Sequence, residues 1–259
     1  MKTSTVKTST AKTSTAKTST AKTSTAKAGQ PRGKERAVIP APEDRDQVAE
    51  AARVLSALGL VTAYGHVSAR AGTAMLITPA ADLATVTGST LVEVPLTAAA
   101  LPPGAPAEAW AHLALYRARS DAGAIARAQP PAAFAAAAVA AALLPLHGQA
   151  AWLGASVPVH GSALLLRSAE LARSAAGRLP EGEALLLRGN GALTLGATPG
   201  IAVARMWLLS AACDTFLATR AGGPVSGLSA QEIASWRAVQ DELLPRLWQH
   251  LRRRTLERA

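Results

Sequence analysis

From Asp44 onward the chain switches between helix-like and strand-like spacing of apolar residues, with Gly- and Pro-rich breaks between the segments. Asp44–Leu58 sets Val48, Ala51, Ala52, Leu55 and Leu58 on one side of a predicted helix that Gly59 stops. His66–Arg70 and Ala74–Thr78 read as a strand pair around Ala71-Gly72. Thr90–Val94 is a further strand, Ala107–Ser120 a helix and Ala122–Gln129 a strand; Pro130-Pro131 then precede an alanine-rich helix. Leu144–His160 holds short strands and loops, and Ser168–Leu179 a helix. Glu183–Arg188 and Ala192–Leu195 form a predicted hairpin, because Gly189-Asn190-Gly191 supplies the positive φ angles of a tight turn. Thr198-Pro199 places a capping residue before a first-turn proline. The helix that follows, Ile201–Leu217, is apolar nearly all round, as a buried central helix is. Ser229–Arg254 reads as one charged amphipathic helix, kinked at Pro245. Helices interleaved with short strands give an α/β (α+β) class, a sheet covered by helices.

Residues 2–26 follow none of these patterns. They are five copies of Lys-Thr-Ser-Thr-Ala, with Val6 in the first, and a period of five matches neither a helix face nor a heptad. Almost nothing in them can be buried, so residues 1–37 are expected to be a disordered tail. That stretch carries seven Lys and two Arg against one Glu, or +8 of the formal +10, so the basic pI belongs to the tail. It is expected to bind polyanions weakly; lacking aromatics and Arg clusters, it does not point to specific nucleic-acid recognition. The remaining length suits one compact domain, 38–222, with a C-terminal helical extension, 223–259.

The single cysteine, Cys213, excludes an internal disulfide and, within the apolar helix, reads as a packed thiol. No signal-peptide pattern and no uninterrupted apolar span is found, which gives an expectation of a cytoplasmic protein with no membrane partner. Neither a glycine-rich nucleotide loop, a Cys-x-x-Cys pair nor a Gly-x-Ser-x-Gly elbow occurs.

Five segments occur in a telling order: Gly65-His-Val-Ser-Ala-Arg70, Leu76-Ile-Thr-Pro79, Glu108 followed by His112 and Tyr116, Asp121-Ala-Gly-Ala-Ile125, and Leu187-Arg-Gly-Asn-Gly191. Together they resemble the class II aldolase/adducin family over about Asp44 to Arg220. The resemblance implies a helix-covered, mainly antiparallel sheet, often in tetramers with clefts at subunit boundaries. It implies aldol cleavage of phosphorylated sugars, epimerisation or decarboxylation, or the non-enzymatic role of the adducin head domain, so the family alone does not settle function.

Against the family's pattern, three functional parts differ in how much remains. The phosphate cradle has lost its hydroxyls: Ala80-Ala81 and Pro106-Ala107 stand where the resemblance places Ser-Gly and a Ser pair. Small hydroxyls and glycine amides are what hold a phosphate dianion, so a non-phosphorylated substrate is expected. The acid remains: Glu108 stands at the family's general base, although a first-turn Glu also complements a helix dipole. The metal ligands are gone. Where the resemblance places His-x-His-Pro and a hairpin His, this chain has Arg127-Ala128-Gln129-Pro130 and Asn190. No metal is expected there, since Arg stays protonated. A zinc or manganese ion is left only a displaced set of Glu108, His147 and His160, whose simpler reading is a loop cap and a strand end.

The reading reached is a carbon–carbon lyase, by aldol cleavage or decarboxylation, for a small non-phosphorylated hydroxy- or oxo-carboxylate. Glu108 moves the proton, Arg127, Gln129 and Asn190 hold the substrate, Arg188 adds charge if it faces the site, and His66 either replaces the family's Asn as a substrate donor or only caps a turn. Alternatively, Arg127 only pairs with Glu108, and the fold serves as an inactive, adducin-like oligomeric module. A homo-oligomer, most simply a tetramer, is expected in either case. Ile233, Trp236, Val239, Leu243, Leu247 and Leu251 form a stripe that suits either a subunit interface or packing on its own domain.

Overall fold

The computed structural model describes residues 42–220, 222–223 and 225–256. The repeat tail expected over residues 1–37 lies outside them. The elements run α1 (Pro42–Ala57), β1 (His66–Ala71), β2 (Ala74–Ile77), β3 (Val92–Pro95), α2 (Ala109–Ala118), β4 (Ala124–Ala128), α3 (Pro131–Val139) and β5 (Ala142–Leu143). They continue with β6 (Val157–His160), α4 (Ala169–Ala176), β7 (Ala184–Leu187), β8 (Gly191–Gly196), α5 (Pro199–Arg220), α6 (Ala230–Arg237) and α7 (Gln240–Leu256). The strands form one sheet in the order β3-β2-β1-β4-β8-β7-β6-β5. Only β6 and β7 pair in parallel, so the sheet is mainly antiparallel, and helices cover both faces, as expected.

Strand periodicity divides the core in two. Ala124, Ala126 and Ala128 of β4 face the layer of α1, α3 and α5, together with Val67, Leu186 and Ala192. Ile125, Leu185, Leu193 and Leu195 face the layer of α2 and α4. Alanines on the first face let α5 lie close to the sheet. Alone among the described helices, α5 is long and apolar enough to cross a membrane, yet it lies in this core. Arg205, midway along it, is buried and pairs with Glu183 at 3.2 Å. Cys213 is buried on the same helix, and its thiol pKa is pushed up to about 12 by burial, then by Asp214.

The C-terminal segment departs from the expected single helix. It breaks at Ala238–Val239, ahead of Pro245, which sits inside α7. In an unbroken helix the Trp236 carbonyl would accept from the amide four residues on. Here it accepts from Trp152 Nε1 at 2.8 Å and from the Val239 amide at 3.4 Å, while the Trp236 ring packs over Gly148. Of the apolar stripe, Leu251 is buried and Leu243 and Leu247 pack on the main core. Only Trp236 and Val239 stay exposed, so most of the stripe serves its own domain.

Candidate active site

Two registers place the first polar side chains. His66 opposes Arg127 across β1 and β4, so both project on the α2 side of the sheet beside the end of β8. The β7–β8 turn brings Asn190 to the same spot. Gly191 at φ +85 allows this: a Cβ there would collide with the Ala128 carbonyl. Glu108 occupies the N-cap position of α2 but makes no capping hydrogen bond. Its carboxylate turns instead to the sheet, where Oε2 lies 3.0 Å from Arg127 Nη2 and Oε1 accepts from Asn190 Nδ2 at 3.2 Å. Arg127 Nη2 also donates to Asn190 Oδ1 at 2.6 Å. The three residues close a triangle at the floor of a cavity of about 1010 Å³.

Arg127 is 2 % exposed and Glu108 8 %, so the pair is buried. Burial lowers the guanidinium's pKa, Glu108 raises it and Arg167 lowers it; it remains a cation at any physiological pH. Arg127 Nη1 and Gln129 Oε1 have no partner among the described residues. Both residues, with His66, line the cavity.

Beneath His66 runs a buried polar chain. Tyr116 lies 2.9 Å from Ser68 Oγ, which lies 2.7 Å from His112 Nδ1. The arrangement that uses every hydroxyl proton has Tyr116 donating to Ser68 and Ser68 donating to His112, leaving the His112 proton on Nε2. His112 Nε2 and His66 Nδ1 are both buried without a partner among the described residues, and the two rings meet edge-on at 5.8 Å. Burial, and then the Arg127 charge, lowers the His66 pKa to about 3; burial, His66 and Arg127 lower that of His112. Burial also raises the Tyr116 pKa, against the opposing effects of Ser68 and Arg70. All three side chains are therefore neutral near pH 7.

Glu108, Arg127, Gln129, Asn190 and His66 are thus brought together as the sequence suggests. Arg188 is not: it is exposed, does not line the cavity, and donates from Nε to the Gly161 carbonyl at 2.6 Å. The displaced metal set is not assembled either. Among the described residues no group of three or more His, Cys, Asp or Glu side chains is placed to hold a metal ion. His147 stands at the N-cap position of the short 3-10 helix Gly148–Leu153 without a side-chain capping bond, and His160 ends β6. Burial lowers the pKa of both, aided at His160 by Arg178.

A scan of family models matches residues 46–217 to the "Class II Aldolase and Adducin N-terminal domain". The chain belongs to the class II aldolase/adducin family. L-fuculose-1-phosphate aldolase from Thermus thermophilus is 31 % identical, with 69 % of this chain and 96 % of that one covered at a TM-score of 0.62. An aldolase II superfamily protein from Pseudomonas syringae is 23 % identical, covering 88 % and 96 % at 0.69. An L-fuculose 1-phosphate aldolase from Glaciozyma antarctica is 20 % identical, covering 83 % and 91 % at 0.64. Curated proteins return no significant match.

Class II aldolases generally use a divalent metal, and the side chains at this floor do not suit one. A guanidinium has no lone pair to give, and Asn190 Oδ1 is already committed to it. A divalent ion at this floor would sit against a buried permanent cation. Sequence reasoning missed the exposed wall above the floor: Tyr64, Phe134, Leu165 and Arg167 come from three separate segments. One signal was available, since Phe134 is the only bulky residue among the alanines of α3.

Proposed function

We propose that this class II aldolase-fold protein is a carbon–carbon lyase for a small, non-phosphorylated hydroxy- or oxo-carboxylate, with Arg127 standing in for a metal ion. The observation that carries the reading is the buried Arg127–Glu108–Asn190 triangle at the floor of an open cavity. A fixed guanidinium in a dry site stabilises negative charge as it develops, without reorganising. In aldol cleavage Glu108 takes the proton of the β-hydroxyl, whose oxygen becomes a carbonyl as the Cα–Cβ bond breaks. The bonding pair passes to the neighbouring carbonyl as an enolate held by Arg127 and Asn190, and the proton returns at Cα. In decarboxylation of a 3-oxo acid the bond to the carboxylate breaks, carbon dioxide leaves, and the bonding pair passes to the 3-carbonyl as an enolate held in the same way. The alanines at Ala80, Ala81 and Ala107 offer no hydroxyl to a phosphate, which supports a non-phosphorylated substrate.

A second reading, an inactive module of the adducin kind, is favoured by one fact: both carboxylate oxygens of Glu108 are already occupied. Incubating the purified protein with a panel of hydroxy- and oxo-acids, followed by mass spectrometry of products, separates the two. Products formed by wild type and lost in Glu108→Gln support the lyase; no product from any acid, with binding intact, supports the module. We further propose a cytoplasmic homo-oligomer, a tetramer in the simplest case.

A further inference from the structure

The cavity inverts the usual order of a protein surface. Its charged and polar groups, Arg127, Glu108, Asn190 and His66, are buried at the bottom, while large apolar side chains stand exposed at the top. Tyr64 is 71 % exposed, Leu165 45 % and Phe134 37 %. Monomeric surfaces seldom expose such residues together without a ligand or partner to cover them. The three come from separate segments: the loop before β1, the first turns of α3, and the loop after β6. Their meeting over one cavity is therefore a product of the fold, not of a local apolar run.

We infer that the cavity takes an amphiphilic acid: a hydroxy- or oxo-carboxylate whose head lies at the Arg127 floor and whose aryl or alkyl chain lies along Phe134, Leu165 and Tyr64. The head follows from the unpartnered groups below. Arg127 Nη1 is a donor lacking an acceptor, as a carboxylate would supply, and Gln129 Oε1 is an acceptor lacking a donor, as a hydroxyl would supply. The tail follows from the wall above, where Ala80, Ala81, Ala107 and Pro131 extend the apolar lining. A polyhydroxylated chain needs a partner for nearly every hydroxyl on leaving water, and above the floor the lining offers only the Tyr64 hydroxyl and the side chains of Thr62, Asp82 and Arg167. The volume of about 1010 Å³ admits an acid with a ring or a six-carbon chain. At the exposed rim Arg167 and Asp82 both line the cavity, so the entrance carries one charge of each sign. The tail assignment rests on the carboxylate-binding reading of the floor.

The test uses the full chain and acids with a common head: lactate, 2-hydroxyhexanoate, 3-phenyllactate and, as a polar match in size, gluconate. Affinities are measured by calorimetry, with ligand-observed NMR for the weakest. Affinity is expected to rise at least about tenfold from lactate to 3-phenyllactate, the increment an apolar contact of this size gives, while gluconate binds no better than lactate. Phe134→Ala and Leu165→Ser are expected to remove that increment and leave lactate binding unchanged. If lactate binds but 3-phenyllactate binds no more tightly, the tail inference falls and the carboxylate reading stands. If 3-phenylpropanol binds as well as 3-phenyllactate, the wall is a ligand site but the carboxylate reading fails, and the amphiphilic acid with it. If no acid binds and the same two variants lower the oligomeric state in light scattering, the wall is a subunit contact and the inference is overturned.

Discussion

Glu108→Ala is the most informative single change to the floor of the cavity. It leaves the Arg127 guanidinium buried, with Asn190 as its remaining side-chain partner. The pair's side chains are only 3 % and 11 % exposed, so the solvent-screened value of a surface ion pair does not apply. Removing one partner of a buried pair costs about 3–5 kcal/mol, because the other charge is left without compensation. For a domain of this length each kcal/mol lowers Tm by about 2–4 °C, so a fall of about 6–20 °C is expected. Arg127→Met leaves the carboxylate short of its cation and should also destabilise, whereas the double variant Glu108→Ala/Arg127→Met buries no charge. The double variant is therefore expected to cost less than the sum of the two single changes, with a coupling of about 1–3 kcal/mol in a double-mutant cycle. Urea denaturation monitored by tryptophan fluorescence supplies the four stabilities. Two small effects that simply add would show that the pair is not formed, and would remove the fixed cation on which the proposed chemistry depends.

Four further outcomes follow from other parts of the molecule. His66 and His112 have folded pKa values depressed from 6.5, His66 to about 3, so their contribution is present above pH 6.5 and is lost as pH falls below it. Ring-proton NMR signals of these two residues should stay flat from pH 5 to 9, and a midpoint near 6 in either would refute the buried neutral pair. Gly191→Ala should cost about 1–3 kcal/mol for its positive φ alone, and more for the approach to β4, read in urea denaturation; a stability equal to wild type would show that the turn is not held as described. Deleting residues 1–37 should leave Tm nearly unchanged while sharply reducing retention on heparin, and a loss of many degrees would show that the tail packs on the body. Light scattering should report a homo-oligomer, and a monomer at micromolar concentration would contradict that proposal.

The strands and helices were readable because their apolar periods are clean and their ends are punctuated by Gly, Pro and capping residues. The hairpin at Gly189-Asn190-Gly191 and α5, apolar nearly all round, stand where expected. The break between α6 and α7 was not readable, because it depends on Trp152, far away in the chain, claiming the Trp236 carbonyl. At the site, it was the family resemblance that implied Glu108, Arg127, Gln129 and Asn190 to be neighbours. It could not say that Arg127 bonds Glu108 and Asn190 at once, since that depends on the β1–β4 and β4–β8 registers and on where α2 begins. Arg188 does not meet the condition of facing the site, for a related reason. It lies just past β7, exposed, and bonds the Gly161 carbonyl after β6 instead of entering the cavity. The Ser68–His112–Tyr116 chain joins β1 to α2, a contact that only tertiary packing creates.

The central claim is that a guanidinium, not a metal, holds the substrate's charge. Calorimetry with a 2-hydroxy acid tests it most directly, on wild type and Arg127→Lys, with and without a strong chelator. The account predicts wild-type binding that the chelator does not alter, and at least about tenfold weaker binding in Arg127→Lys, which keeps a charge but lacks the planar fork. Wild-type binding that disappears on chelation and returns with zinc or manganese would contradict it.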